Sequence, residues 1–207
     1  FRLLMEAYAT DLNDRVLDAL RPSPFDLFDA RDITIPSDIG YHPNEAMTPD
    51  MAPFTIFEDD RVRVEAILVE HPPIAPAFGF RFTTDDAVIA ISGDTAPTAN
   101  MVRLAQDADL LLHEAISFDW VQQTYGDKTD ATSRASVDHH RRSHTSVQQA
   151  IAVAEQAGAR RLALHHLVPG HRTTREWLAE AGHNAEVVVP DDLETLQVAR
   201  IPLRSHI

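Results

Sequence analysis

Apolar and polar residues change their period several times along the chain, and each change marks a predicted element. Leu3, Leu4, Ala7, Leu12, Val16 and Leu20 recur at roughly helical spacing, which predicts an amphipathic helix over 2–20. Arg21-Pro22-Ser23-Pro24 ends it, because proline has no amide proton to continue the ladder. Residues 36–53 are rich in Pro, Asp and Asn and read as a surface loop. Strands follow at Phe54–Phe57 and Val62–Val69, separated by Glu58-Asp59-Asp60, and His71-Pro72-Pro73 breaks the second. Phe78–Thr83 and Val88–Ile91 read as paired strands joined at Asp85-Asp86. Pro97 suits the first turn of a helix running to about Gln106. Asp109–Leu112 is a short strand that leads into His113-Glu114-Ala115. Residues 119–143 are polar without an apolar period and read as a mobile loop or lid. Thr145 and Gln148 make a capping box for a helix to Ala157, closed by Gly158. A strand at 161–165, a helix at 173–181 and strands at 185–189 and 195–199 complete the chain. Strands alternating with helices, without repeats or an obvious linker, predict one α/β domain with a mixed sheet.

Three predicted strands end on a residue type that binds metals. The run Ala87-Val88-Ile89-Ala90-Ile91 closes on Ser92-Gly93-Asp94-Thr95, with a glycine that lets the backbone turn before the carboxylate. His71 follows Val64–Glu70, and His166 follows Arg161–His165. Gathering donors from separate strand tips is how an α/β protein assembles a metal site from distant sequence. In that reading Asp94 bridges two cations, with His71 and His166 as terminal ligands on either side. Taken singly, each residue also fits a hydrogen-bonded histidine or an ordinary Gly-Asp-Thr turn.

Composition narrows the chemistry. The 207 residues are 44% hydrophobic, enough for a folded core, and no apolar run nears the ~20 residues of a membrane span. Phe1-Arg2-Leu3-Leu4-Met5 lacks a signal-peptide cleavage pattern, so a cytoplasmic location is expected, with secretion left open because the chain does not begin at methionine. The absence of cysteine removes disulfides, thiolate ligands and a cysteine nucleophile, leaving nitrogen and oxygen donors. With 18 basic against 32 acidic residues, the net charge of −14 disfavours phosphate backbones. Arg134, Arg141 and Arg142 form the one basic cluster, judged too small for a nucleic-acid track.

Several longer runs resemble the motifs of ribonuclease Z-like metallo-β-lactamase-fold hydrolases, in the order in which that group carries them. His71-Pro72-Pro73 through Phe82 resembles its third metal motif, and Ser92-Gly93-Asp94-Thr95 with Pro97 its fourth. Leu110–Ala115 resembles the segment that follows. His144-Thr145-Ser146 with Gln148-Gln149-Ala150 resembles the histidine at the head of a helix, and Leu164-His165-His166-Leu167-Val168-Pro169 the last metal motif. The resemblance implies an αββα sandwich with mixed sheets and two zinc ions, with manganese or iron as alternatives. It implies metal ligation by His71, Asp94 and His166, and a catalytic role for His144 as proton donor or substrate contact. His113, Glu114 and Thr95 would orient the ligands, and Trp120 and Tyr125 could line the substrate mouth. His165, His139 and His140 are expected to point away or into solvent.

The group's His-x-His-x-Asp-His is not found, since His42 is the single histidine before His71. Tyr8–Arg15 resembles the segment downstream of that motif, so the sequence is expected to be part of a longer protein. The group's long basic arm is also missing, because Phe82 to Val88 is a short turn. With the acidic balance, this leads to the expectation of a small-molecule substrate (an aryl sulfate, phosphate or phosphodiester) and no nucleic-acid or membrane partner. Thr48–Pro53 points the same way, towards the arylsulfatase-type branch. Homodimerisation is a family expectation. Lactonase and ribonuclease Z-type activities are weaker enzyme alternatives, and a metal-free scaffold is the non-catalytic one.

Overall fold

A computed structural model of the protein describes residues 1–182 and 187–199. The chain divides into two compact units, Phe1–Ile35 and Pro36–Ile207. In the first, the expected single helix is broken into α1 (Arg2–Ala7) and α2 (Ala9–Asn13), and the latter passes into a π-helical turn at Asp14–Asp18. None of these segments buries a side chain, so packing does not enforce one continuous helix, and segments this short are marginal by themselves. Ser23 caps α3 (Pro24–Leu27), with proline in its first turn.

The second unit is built on a seven-stranded mixed sheet in the order β1-β2-β3-β4-β5-β6-β7. Its first half is an antiparallel meander of β1 (Phe54–Glu58), β2 (Arg63–Leu68), β3 (Phe78–Thr83) and β4 (Val88–Ile91). Its second half is parallel: β5 (Leu110–Ile116), β6 (Leu162–Val168) and β7 (Val187–Val188). Parallel neighbours need crossovers. Helices α4 (Ala99–Leu104), α7 (Val147–Ala157) and α8 (Thr174–Ala181) supply them. The mixed α/β class is therefore as expected. Among the described residues 195–199 there is no strand, and residues 185 and 186 of the other predicted terminal strand lie outside the described residues. No helix of the described residues is long and apolar enough to cross a membrane.

Strand direction is what positions the site. Because β2 and β4 flank β3 and are both antiparallel to it, they run the same way, and β5 and β6 run parallel to β4. The C-terminal tips of all four strands therefore meet one edge of the sheet.

Residues 119–143 are not a loop. They form α5 (Phe118–Val121), a π-helical turn at Gln122–Gly126 and α6 (Ala131–Ser143). Asp130 starts α6 by accepting a hydrogen bond from Ser133 N (2.9 Å), and His140, Arg141 and Arg142 complement its C-terminal dipole. The capping box of α7 also moves by one residue, to Ser146 and Gln149. Thr145 is diverted: it is buried, and its hydroxyl donates to Thr95 O at 2.5 Å.

Asp109 starts β5 in the core. Its carboxylate accepts from Val88 N at 2.8 Å and pairs with Arg160 at 2.5 Å, with 3% of its side chain exposed. Truncating one partner of such a pair leaves a buried donor and an uncompensated charge. Asp109→Ala is expected to lower unfolding free energy by about 3 kcal/mol in a urea titration. A loss under about 1 kcal/mol would contradict the buried pairing.

Candidate metal centre

Each donor sits where its strand stops. β2 leads through Glu70 to His71, which is 8% exposed. Glu70 N donates to Thr95 Oγ1 (3.0 Å) and Ala96 N to Glu70 O (2.7 Å), which ties the ends of β2 and β4 together. After β4, Ser92 N still pairs with Leu112 O at 2.9 Å, and Glu114 N donates to Ser92 Oγ at 3.0 Å. Gly93 then takes φ +60°, and a Cβ there would lie 2.6 Å from Phe78 O. That turn delivers Asp94.

His166 is placed by a bulge. The β5–β6 register runs Glu114↔His165 and then Ala115↔Leu167, so His166 is the extra, unpaired residue. Its φ of +44° is unusual for a side chain of this size, and bulges next to functional sites re-aim side chains in this way. His166 Nδ1 lies 3.2 Å from Asp94 Oδ1, with both side chains partly exposed. The structure thus brings Asp94 and His166 into contact. The charge of Asp94 also acts on His71, His144 and Glu114.

Glu114 is fully buried. Its Oε1 accepts from His144 Nδ1 at 3.0 Å, Thr95 N at 3.2 Å and Thr145 N at 3.3 Å. Burial pushes the Glu114 carboxyl up despite these donors. Burial alone would lower His144, but its hydrogen bond to Glu114 and that carboxylate's charge outweigh it, and the net shift is upward. His71 is held down by burial first and by the neighbouring His144 next. His113 is held at about 4 by burial, so it is neutral at pH 7; its Nδ1 stands 2.9 Å from Glu114 O.

Sequence reasoning missed the involvement of α6. His139 and His140, expected in solvent, are half-buried beside His71 and His144. One ligand atom from each of His71, His139 and His144 lies within 4.8 Å of the others. The missed signal was that a helix over 131–143 places His139 and Ser143 four residues apart on one face. Trp120 and Tyr125, the candidate mouth residues, lie 6.0 Å apart by ring centroid and pack against His140 at 6.4 and 6.0 Å.

Imidazole nitrogens and a carboxylate are donors that suit zinc and its first-row neighbours; of the expected ligands, Asp94 and His166 are in contact, whereas His71 is grouped with His139 and His144 among the described residues. Glu114 Oε2 and His140 Nδ1, both buried beside these donors, have no hydrogen-bond partner among the described residues.

A mixed sheet that gathers His and Asp donors at one edge defines a metallo-β-lactamase-type architecture. The profile of the beta-lactamase superfamily domain matches residues 9–167, and the chain belongs to that superfamily, in its ribonuclease Z-like branch, being 31% identical to a relative of that name of which it covers 74%. Ribonuclease Z of Mycobacterium tuberculosis (strain ATCC 25618 / H37Rv) is 31% identical over 174 residues, covering 78% of this chain and 61% of the relative. Ribonuclease Z of Mycobacterium sp. (strain KMS) is 32% identical over 174 residues, covering 78% and 58%. Among solved structures, human tRNase Z, short form, matches with 25% identity and a TM-score of 0.48, covering 72% of this chain and 46% of that one. The chain spans about six tenths of the length of these two curated relatives.

These relatives correct one expectation. Proteins named ribonuclease Z act on RNA, against the expectation of no nucleic-acid partner. The net charge of −14 misled because it sums the whole chain. Phosphate contact depends on local charge. Arg134, Arg141 and Arg142, dismissed as too few, are all exposed on α6, spaced seven and eight residues apart on one face of the helix that also carries His139.

Gly93→Ala adds both an unfavourable φ and a backbone clash, whereas Gly40, at φ +74°, has nothing within 4 Å of the position that an added methyl group would take. Gly40→Ala is expected to cost about 1 kcal/mol and Gly93→Ala clearly more, compared by chemical denaturation. Equal costs would show that the turn before Asp94 is not tightly packed.

Proposed function

We propose that this chain carries part of the catalytic centre of a metal-dependent phosphodiester hydrolase acting on RNA. The observation that carries this reading is that His71, Asp94 and His166 stand at the ends of β2, β4 and β6 at one sheet edge, with Asp94 in contact with His166 and its charge acting on His71 and on the Glu114–His144 pair. The ribonuclease Z relatives and the exposed arginine face of α6 support RNA over a small ester.

His71, Asp94 and His166 would hold the metal, zinc being the ion that the donor set suits best. A bound ion of this type acidifies a water and polarises the ester oxygen under attack. Glu114 fixes the ring of His144 through Nδ1, which leaves the other ring nitrogen to hold a proton for the leaving oxygen. Thr95 and Glu114 lock the turn that carries Asp94, and His113, neutral and buried, holds its Nδ1 2.9 Å from Glu114 O. Trp120 and Tyr125 offer aromatic faces on which an unpaired base can stack. The arginines of α6 attract the phosphate backbone.

The test is cleavage, in the protein as encoded in full, of a structured RNA, bis(p-nitrophenyl) phosphate and an aryl sulfate. RNA should be cleaved best. Asp94→Asn should abolish cleavage, and His144→Gln should lower kcat roughly 10²–10⁴-fold with little change in KM. Cleavage of the sulfate ester alone, or full activity in Asp94→Asn, would overturn the reading.

A further inference from the structure

His166 sits on a bulge, and a bulge keeps its place only if the strand is fixed on both sides of it. Before the bulge, Leu162, Ala163, Leu164 and His165 pair with Leu111, Leu112, His113 and Glu114 of β5. The hold beyond it is shorter: Leu167 and Val168 pair with Ala115 and Ile116, and Ser117 N donates to Val168 O at 2.9 Å. A slip of one residue would set His166 opposite Ala115, erase the bulge and relieve the φ of +44°. His166 would then no longer be turned out towards Asp94. The same slip would draw the segment after β6 about 3.3 Å along the strand.

We propose that Glu180 is a positioning residue for His166: its carboxylate fastens the segment after β6 to the end of β5 and so locks the bulge in register. The inference rests on the hydrolase reading, in which His166 holds the metal. One oxygen, Glu180 Oε1, takes a donor from each side of the possible slip. Ser117, directly after β5, donates its hydroxyl to that oxygen at 2.7 Å. Arg172, which follows the end of β6, pairs with the same oxygen through its guanidinium. Ser117 is buried, and the Arg172 and Glu180 side chains are 20% and 24% exposed, so water competes weakly with a charge-assisted pair.

Both ends of the clamp are themselves anchored. Helix α8 starts directly after Arg172, at the Thr173 cap, and Gln148 of α7 donates its Nε2 proton to Glu180 O at 2.5 Å. The Arg172 guanidinium carbon lies 4.8 Å from the ring centroid of Trp177, which is fully buried and three residues before Glu180 on the same helix face. Arg172 therefore cannot follow a slipping strand without leaving both the indole and the carboxylate. Ser117 is fixed from its other side as the cap of α5, where its hydroxyl accepts from Trp120 N at 3.4 Å. The carboxylate thus acts through the strand and touches neither metal nor substrate.

The test uses the protein as encoded in full, with Glu180→Ala, His166→Gln and Asp109→Ala as variants, the last destabilised at the opposite end of β5. Zinc affinity is measured by competition with a chromophoric chelator, and amide hydrogen exchange in the zinc-free proteins reads the hold of Ser117 N on Val168 O. Thermal melting checks folding, and Arg172→Ala carries the same test if Glu180→Ala does not fold. The proposal expects faster exchange at Ser117 and zinc affinity at least roughly tenfold weaker in Glu180→Ala, with Asp109→Ala within about threefold of the parent. Unchanged zinc affinity in Glu180→Ala, or an equal loss in Asp109→Ala, would overturn the positioning role. Zinc affinity untouched by His166→Gln would count against the hydrolase reading instead. The register lock would then stand on the exchange at Ser117, and unchanged exchange there would overturn it.

Discussion

Glu114 is a carboxylate with no solvent exposure, and the centre is organised by the need to satisfy it. Removing such a group from water costs several kcal/mol unless donors replace its hydration. The donors come from three places: Thr95 beyond β4, and His144 and Thr145 at the junction of α6 and α7. Satisfying one oxygen of Glu114 therefore fixes the turn after Asp94, the ring of His144 and the start of α7 relative to β5. Thr145 reinforces the arrangement by donating to Thr95 O, and Thr95 in turn accepts from Glu70 beside His71. The neighbours of His71 and Asp94 in the chain, Glu70 and Thr95, are thus tied to the same buried carboxylate, and His166 is in contact with Asp94.

Where the strands lie and where they stop was the legible part of this design. Runs such as Val88–Ile91 and Leu162–Leu164 are apolar on both faces, as buried strands are, and they stop where Gly93 or a histidine begins. What the tips have in common, a single edge, follows from the pairing of β2 with β4 through β3, and pairing is a long-range property that local periodicity does not report. The choice between His165 and His166 shows the limit well. Alternation along a strand cannot say which of two adjacent histidines faces the site, and the answer came from a bulge that only the β5 partner reveals.

Helix α6 was illegible for a different reason. Its sequence, ATSRASVDHHRRS, has no apolar stripe, because the helix is held by its Asp130 cap, by Ser143 on Pro72 and by aromatic contacts with α5 and the turn after it. Without the helix, His139 and His140 look like solvated loop residues and Arg134, Arg141 and Arg142 like scattered charges. With it, the histidines face the centre and the arginines make a basic face beside it. The misjudged nucleic-acid partner and the missed histidines therefore share one origin.

The central claim is that the strand tips hold a metal ion through His71, Asp94 and His166. X-ray diffraction at the zinc absorption edge, on crystals grown with zinc, tests it most directly. The account predicts an anomalous peak within coordination distance of the Asp94 carboxylate and of at least one of His71 and His166. Zinc found only on groups away from the sheet edge, with Asp94 still paired to His166 as in the present structure, would contradict it.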